Sequence, residues 1–378
     1  MIPLHSPSYD RKDLRAIGKV IRSNWTGLGP QSQELINEWA SKYNRPRSCF
    51  DLTNSATEAI FQVFEFIAST QLLHTVVILP SVSYQGISNA VLRCGFIPQF
   101  VDINGKDHMM PDSRSYIDAI NRNESIVAIV LMSYGGQQYD SDIQELLDLC
   151  VARRIYVIED SAACVNSNLM GTYGDFGIWS FDSLKTLSGF DGGMIYCRDP
   201  AIMEMISSGL KLGYHQFASS YQKMNQESKK WWINHPVIPA RRSITNDVSA
   251  SLVRSQMKKL DKFCAIQKHF LDYFNFELYG TPAFSPLNLW KNDDCFLYLI
   301  NAGSNQQEMA DYLKKKGIYT GFKYYPVHQS DLYWKYNSDL PKSDLIASTH
   351  LNIPLHKNLT IEQAEYIVSS IKSYYTNS

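Results

Sequence analysis

The feature that most constrains this chain is the alternation of short apolar runs with amphipathic helical stretches between residues 76 and 160. Val76-Val77-Ile78-Leu79, Gln99-Phe100-Val101-Asp102, Ile126-Val127-Ala128-Ile129-Val130-Leu131 and Ile155-Tyr156-Val157-Ile158-Glu159 read as strands. Residues 112–121 and 140–153 read as helices. The second has Leu146, Leu147, Cys150 and Val151 at helical spacing and capping oxygens in Asp140-Ser141-Asp142. Strands that are apolar along their whole length are buried on both faces. A strand–helix–strand repeat therefore predicts an α/β fold with a mixed, mostly parallel sheet flanked by helices.

From about Gly174 the pattern changes. Gly177-Ile178-Trp179-Ser180-Phe181 and Gly192-Gly193-Met194-Ile195-Tyr196-Cys197 read as two short strands flanking Lys185. Residues 209–242 are polar and aromatic with little periodicity, and include Tyr214, Phe217 and Lys229-Lys230-Trp231-Trp232. A helix is expected from Asp247 through Leu260 and beyond, a strand over 295–300 and a last helix over 361–374. The expected division is a large α/β domain, 1–250, and a smaller C-terminal α+β domain, 251–378.

Composition excludes several classes. The 36 basic and 37 acidic side chains give a net charge of −1, which argues against a general affinity for nucleic acid or an anionic membrane. With 23 Tyr, 17 Phe and 7 Trp, the chain is not intrinsically disordered. The 7 cysteines are scattered without a C-x-x-C pair, which fits free thiols in a reducing compartment better than disulfides or a zinc site. The first residues lack the pattern of a signal peptide, and the longest apolar run, 126–132, is far short of a membrane span. The expected location is the cytoplasm, and no metal ligand set is expected. No G-x-G-x-x-G, Walker loop, H-E-x-x-H or G-x-S-x-G occurs, which lowers hydride transfer, nucleotide hydrolysis, zinc hydrolysis and serine esterase readings.

What remains is an acid after a buried strand, Asp160, followed about 25 residues later by Lys185 in Ser-Phe-Asp-Ser-Leu-Lys. An Asp beyond the carboxyl end of a parallel strand faces the ligand crevice and can keep a pyridinium nitrogen of pyridoxal phosphate (PLP) protonated, although a helix N-cap explains it equally well. A partly buried lysine has a lowered pKa and can attack a carbonyl, whereas an arbitrary loop lysine is simply solvated. Asn54-Ser55-Ala56-Thr57 puts small hydroxyl residues at a helix start, where free N–H groups attract phosphate, with ordinary capping as the alternative.

Ser55-Ala56-Thr57, Pro80-Ser81-Val82-Ser83-Tyr84, Glu159-Asp160-Ser161-Ala162, Ser180-Phe181-Asp182-Ser183-Leu184-Lys185 and Gly192-Gly193, in this order, resemble the DegT/StrS family of sugar aminotransferases. Asn24-Trp25-Thr26-Gly27-Leu28-Gly29-Pro30, Asp247-Val248-Ser249-Ala250, Tyr325-Pro326-Val327-His328 and Ile353-Pro354-Leu355-His356 extend the resemblance over nearly the whole chain. It implies the PLP-dependent fold type I. Lys185 would be the lysine that holds PLP, Asp160 the partner of the pyridine nitrogen, and Tyr84 the aromatic stacked on the ring. Ala56, Thr57 and Ser180 would hold the phosphate. Arg242, or its neighbour Arg241, would reach the partner subunit's cofactor phosphate in a homodimer, in place of the family's Asn. Trp25, Thr26 and His328 would touch substrate. Ala163 stands where the family commonly has Gln or His.

The activity so implied moves an amino group from an amino acid, glutamate by expectation, to a ketone of a nucleotide-linked deoxysugar, for aminosugar synthesis in polysaccharide or natural products. A dehydratase branch of the same family has His at the position of Lys185. A non-catalytic PLP-binding or regulatory relative is the third reading.

Overall fold

The computed structural model describes residues 1–70, 73–214, 235–289, 294–336 and 338–376. Seven strands form the main sheet: β1 (Phe50–Thr53), β2 (Val76–Pro80), β3 (Ile97–Val101), β4 (Ile126–Met132), β5 (Tyr156–Asp160), β6 (Phe176–Ser180) and β7 (Gly193–Cys197). Their order is β1-β7-β6-β5-β4-β2-β3. Strands β3, β2, β4, β5 and β6 run parallel, and β7 is antiparallel to both β6 and β1. This is the mixed, mostly parallel sheet that the apolar runs predict. Strands β4, β6 and β7 are buried throughout, and β5 at every residue but its first, Tyr156.

Helices cover the sheet. Ala56–Thr70 turns Ala59, Ile60, Val63, Phe64 and Ile67 inward, the i, i+4 pattern of a core-facing stripe. Ser55 starts it by accepting the Glu58 N–H at 3.2 Å. The helix expected over 112–121 runs Ser113–Arg122, with Asp112 as its cap at 2.8 Å to the Ser115 N–H. The helix expected to start at Asp140 begins at Ile143 instead. The Asp140 carboxylate is drawn to the Ser113 N–H and hydroxyl, each at 2.6 Å, so it ties one helix to the other.

A smaller antiparallel pair, β8 (Tyr298–Asn301) and β9 (His350–Ile353), has its own core of Phe274, Leu278, Tyr298, Ile300, Leu313, Ile353, Ile367 and Ile371. The strand expected over 295–300 is thus shorter at its start. The Phe296 N–H bonds to the Gly135 carbonyl at 2.9 Å, so this stretch joins the large sheet's loops. The helix expected from Asp247 through Leu260 and beyond is two helices, Asp247–Met257 and Leu260–Leu278. The first packs on the N-terminal helices Arg11–Arg22 and Pro30–Lys42, so a boundary at 250 falls inside a continuous helix. Ile2 exchanges backbone hydrogen bonds with Gly317 and Tyr319, which places the first residues with the smaller core. No helix among the described residues is long and apolar enough to cross a membrane.

Candidate active site

Strand order explains how distant residues converge. Asp160 ends β5, paired with Met132 on β4 and Ile178 on β6. Two residues beyond Ile178, Ser180 closes β6 and lies opposite Gly193, which on its other side lies opposite Thr53 of β1. A Cβ on Gly193 would sit 2.6 Å from Thr53 Oγ1 and 2.7 Å from the Ala56 nitrogen. Only glycine lets β7 approach this closely, and that approach carries the start of helix Ala56–Thr70 to Ser180. The Ala56 and Thr57 N–H groups are in the first helical turn and lack an intrahelical acceptor. The Thr57 hydroxyl is 3.1 Å from the Tyr84 hydroxyl, so Tyr84, from the turn after β2, closes one side of the same space.

Lys185 is held in the loop that follows β6. Its N–H bonds the Asp182 carbonyl at 3.0 Å, and the Asp182 carboxylate accepts the Leu184 N–H at 2.9 Å. Lys357 pins the loop from below, donating to the carbonyls of Thr186 at 2.6 Å and Lys185 at 3.3 Å. The Lys185 amine lies 4.8 Å from the centre of the buried Phe296 ring. Burial pushes its pKa down, opposed by Asp160, Asp182 and Tyr84. A lowered pKa enlarges the neutral fraction that can act as nucleophile or base.

Asp160 is buried and its Oδ1 accepts the Ala162 N–H at 3.0 Å. Burial pushes its carboxyl up, against the Ala162 N–H and Lys185, which favour the ionised form. Its neighbour Glu159 is spent on structure. It accepts the N–H groups of Gly171 at 2.8 Å and Gly174 at 2.7 Å and the Tyr139 hydroxyl at 3.1 Å, and burial raises its pKa to about 7.

The structure thus brings Asp160, Lys185, Tyr84, Thr57, Ala56 and Ser180 to one end of the sheet. It does not bring the others there. His328 is buried with Nδ1 on Ser81 Oγ and Nε2 3.1 Å from Asp344, so both ring nitrogens hold the fold together. Trp25 and Thr26 belong to a loop tied to helix Asp247–Met257, whose first N–H bonds the Thr26 carbonyl at 3.2 Å. Trp25 lines an open groove of about 1130 Å³ with Lys12, Lys19 and Arg254. Val253 of that helix meets Gly189 of the Lys185 loop, whereas Ser251 and Ser255, on its opposite face, line the groove. Arg241 binds Glu58 at 2.9 Å and Glu65 at 2.7 Å of its own chain. Arg242 is exposed, its backbone bridged to Lys211. Tyr214 bridges to Pro236, while Phe217, Lys229, Lys230, Trp231 and Trp232 lie outside the described residues.

A family model of the DegT/DnrJ/EryC1/StrS aminotransferase family matches residues 7–372. The chain belongs to this family. Among relatives of the family, a dTDP-4-dehydro-2,3,6-trideoxy-D-glucose 4-aminotransferase from Saccharopolyspora spinosa is 30% identical over 372 residues, covering 95% of this chain and 93% of the relative. Aminotransferase TlmJ from Streptoalloteichus hindustanus superimposes with a TM-score of 0.89 at 26% identity, covering 100% of this chain and 99% of that one. The PLP form of Spr1654 from Streptococcus pneumoniae shares the fold, with a TM-score of 0.85 at 21% identity over 100% of this chain and 99% of its own.

Sequence reasoning missed four residues of this pocket: Phe296, Lys323, Tyr324 and His5. Tyr324 stands 6.1 Å from Tyr84, ring centre to ring centre, and its hydroxyl is raised by burial and by Asp160. Lys323 and Tyr324 directly precede the Tyr325-Pro326-Val327-His328 motif, so that motif was the available signal. Nothing in the sequence links His5 or Phe296 to Lys185.

Proposed function

We propose that this aminotransferase uses PLP at Lys185 to move an amino group from an amino acid, glutamate in the first instance, to a ketone of a nucleotide-linked deoxysugar. The observation that carries the reading is the pairing of a half-buried lysine having a lowered pKa with a buried carboxylate at the carboxyl end of adjacent parallel strands. The donor set suits the cofactor. Among the described residues the Asp160 carboxylate has no cation within ion-pair distance, a state that a bound pyridinium would relieve. The Ala56 and Thr57 amides and the Ser180 hydroxyl suit a phosphate, and the Tyr84 ring suits an aromatic face.

When bound, PLP supplies an electron-accepting ring that stabilises negative charge at the carbon next to the exchanged nitrogen. Asp160 keeps the ring nitrogen protonated by its nearby negative charge. Lys185 holds the cofactor at rest. Its Nζ would take the proton from the donor α-carbon, and in the return half would place a proton on the sugar carbon that receives nitrogen. Burial supports both roles by keeping a fraction of the amine neutral.

The functional unit in this reading is a homodimer, with Arg242 facing the partner's cofactor phosphate. Incubating the PLP-loaded protein with glutamate and a panel of nucleotide-linked 4-keto and 3-keto sugars, followed by mass spectrometry, tests the reading. It predicts an amino sugar and 2-oxoglutarate in equal amounts. Neither product from any sugar, with the glutamate spectrum unchanged, would refute it.

A further inference from the structure

Two polar groups at this pocket have no part in the scheme above. Lys323 Nζ lies 5.9 Å from the centre of the Phe296 ring, the same ring that carries Lys185 at 4.8 Å. His5 lies flat on that ring, at 4.6 Å between centres and 5° between planes. Phe296 therefore gathers a second amine and an imidazole beside Lys185.

The Lys323 backbone is fixed, its N–H on Asn352 Oδ1 at 2.6 Å and its carbonyl accepting the Tyr134 hydroxyl. Among the described residues no carboxylate reaches ion-pair distance of Lys323 Nζ, and Asp182 is the only acid whose charge favours its protonated form. Burial and the Lys185 charge push its pKa down to about 8, so near neutral pH it is still mostly a cation. His5 is 9% exposed, and its Nε2 has no hydrogen-bond partner. Burial, with Lys323, Lys185 and His356 nearby, pushes its pKa down to about 2, so it is a neutral ring. A half-buried ammonium with no carboxylate at ion-pair distance among the described residues, beside a buried ring nitrogen that has no partner, is costly unless a ligand satisfies them.

We propose that Lys323 and His5 form the subsite for the α-carboxylate of the amino-acid donor. The proposal rests on the aminotransferase reading above. A carboxylate accepts from an ammonium and from a neutral imidazole N–H at once, and the first of these bonds is charge-assisted. The α-carboxylate is bonded to the carbon on which Lys185 acts, so its binding group must stand beside Lys185, as Lys323 does. The cofactor phosphate has other donors in the Ala56 and Thr57 amides. The sugar diphosphate is held away from the reacting ketone by the sugar ring itself.

The test is the glutamate half-reaction of the PLP-loaded protein, followed by the loss of cofactor absorbance, in wild type, Lys323→Met, Lys323→Arg and His5→Phe. Lys323→Met should weaken apparent glutamate binding about ten- to a hundredfold, the loss typical of a hydrogen bond to a charged group. Lys323→Arg should recover most of it, and His5→Phe should cost about fivefold. The KM for the keto sugar should change less than about threefold, since a purely structural lesion would move both substrates together. A second readout needs no cofactor. Saturating glutamate should protect Lys323, but not the surface Lys316, from acylation at pH 8, read by peptide mass spectrometry. Glutamate affinity unchanged in Lys323→Met, or a loss confined to the keto sugar, would overturn the proposal. A wild-type protein with no glutamate half-reaction would instead sink the aminotransferase reading, and Lys323 protection would then still report on the subsite.

Discussion

Gly193→Ala is the substitution whose effect can be worked most directly from the structure. Its new Cβ would stand 2.6 Å from Thr53 Oγ1, 2.7 Å from the Ala56 nitrogen and 2.9 Å from the Ala56 Cα. Two of these neighbours are backbone atoms at the start of a helix whose inner face is core, so no side-chain rotation relieves the clash. Either β7 or the helix must shift by several tenths of an ångström, and overpacking of this kind costs about 1–3 kcal/mol. The shift also separates the Ala56 and Thr57 amides from Ser180, which faces Gly193 across the β6–β7 ladder. Loss of one phosphate donor at about 1.4 kcal/mol corresponds to a tenfold weaker PLP affinity. Urea unfolding of the cofactor-free protein and PLP titration by absorbance measure the two effects separately. Gly27→Ala is the control, since a Cβ there meets nothing within 4 Å. A Gly193→Ala protein within about 0.5 kcal/mol of wild type, the range of an ordinary surface change, and with unchanged PLP affinity would refute the convergence argued for this site.

Asp160→Asn should lower turnover by about 10²–10³ through loss of electrostatic stabilisation, while the cofactor-free protein stays as stable as wild type because a buried carboxylate is removed; urea unfolding and steady-state rates check both. Glu159 has a raised pKa, so its contribution to stability is present below about 4.5 and lost as pH rises through about 7. Glu159→Gln should therefore flatten the pH dependence of unfolding free energy between those values, by up to about 3 kcal/mol, and an unchanged slope in urea melts would contradict this. Sedimentation should give twice the chain mass for wild type and for Arg242→Ala, with PLP bound more weakly in the variant; a fully active monomer would overturn the shared site.

Much of this was legible in the sequence because burial leaves a pattern. Strands such as 126–132 are apolar throughout, and the acid that ends β5 and the lysine beyond β6 follow from reading along the chain. Strand β1 was not legible, since four residues containing Asp51 resemble a loop until β7 pairs with them. Charge partners were equally hidden. The Asp140 carboxylate reaches Ser113 of another helix, and Arg241 faces Glu58 and Glu65, choices made by tertiary distance. Glu159 and Asp160 are adjacent and both buried, yet only the amides of Gly171 and Gly174 assign the first to structure. His5, Phe296 and Lys323 meet at Lys185 from opposite ends of the chain, which no local pattern encodes.

The central claim is that Lys185 carries the cofactor and performs the proton transfers. Borohydride trapping of the PLP-loaded protein, followed by peptide mass mapping, tests it most directly. The account predicts a phosphopyridoxyl group on Lys185 alone, lost when the protein is first incubated with glutamate and absent in Lys185→Met. A label on Lys323 or another lysine, or a Lys185 label that glutamate leaves unchanged, would contradict it.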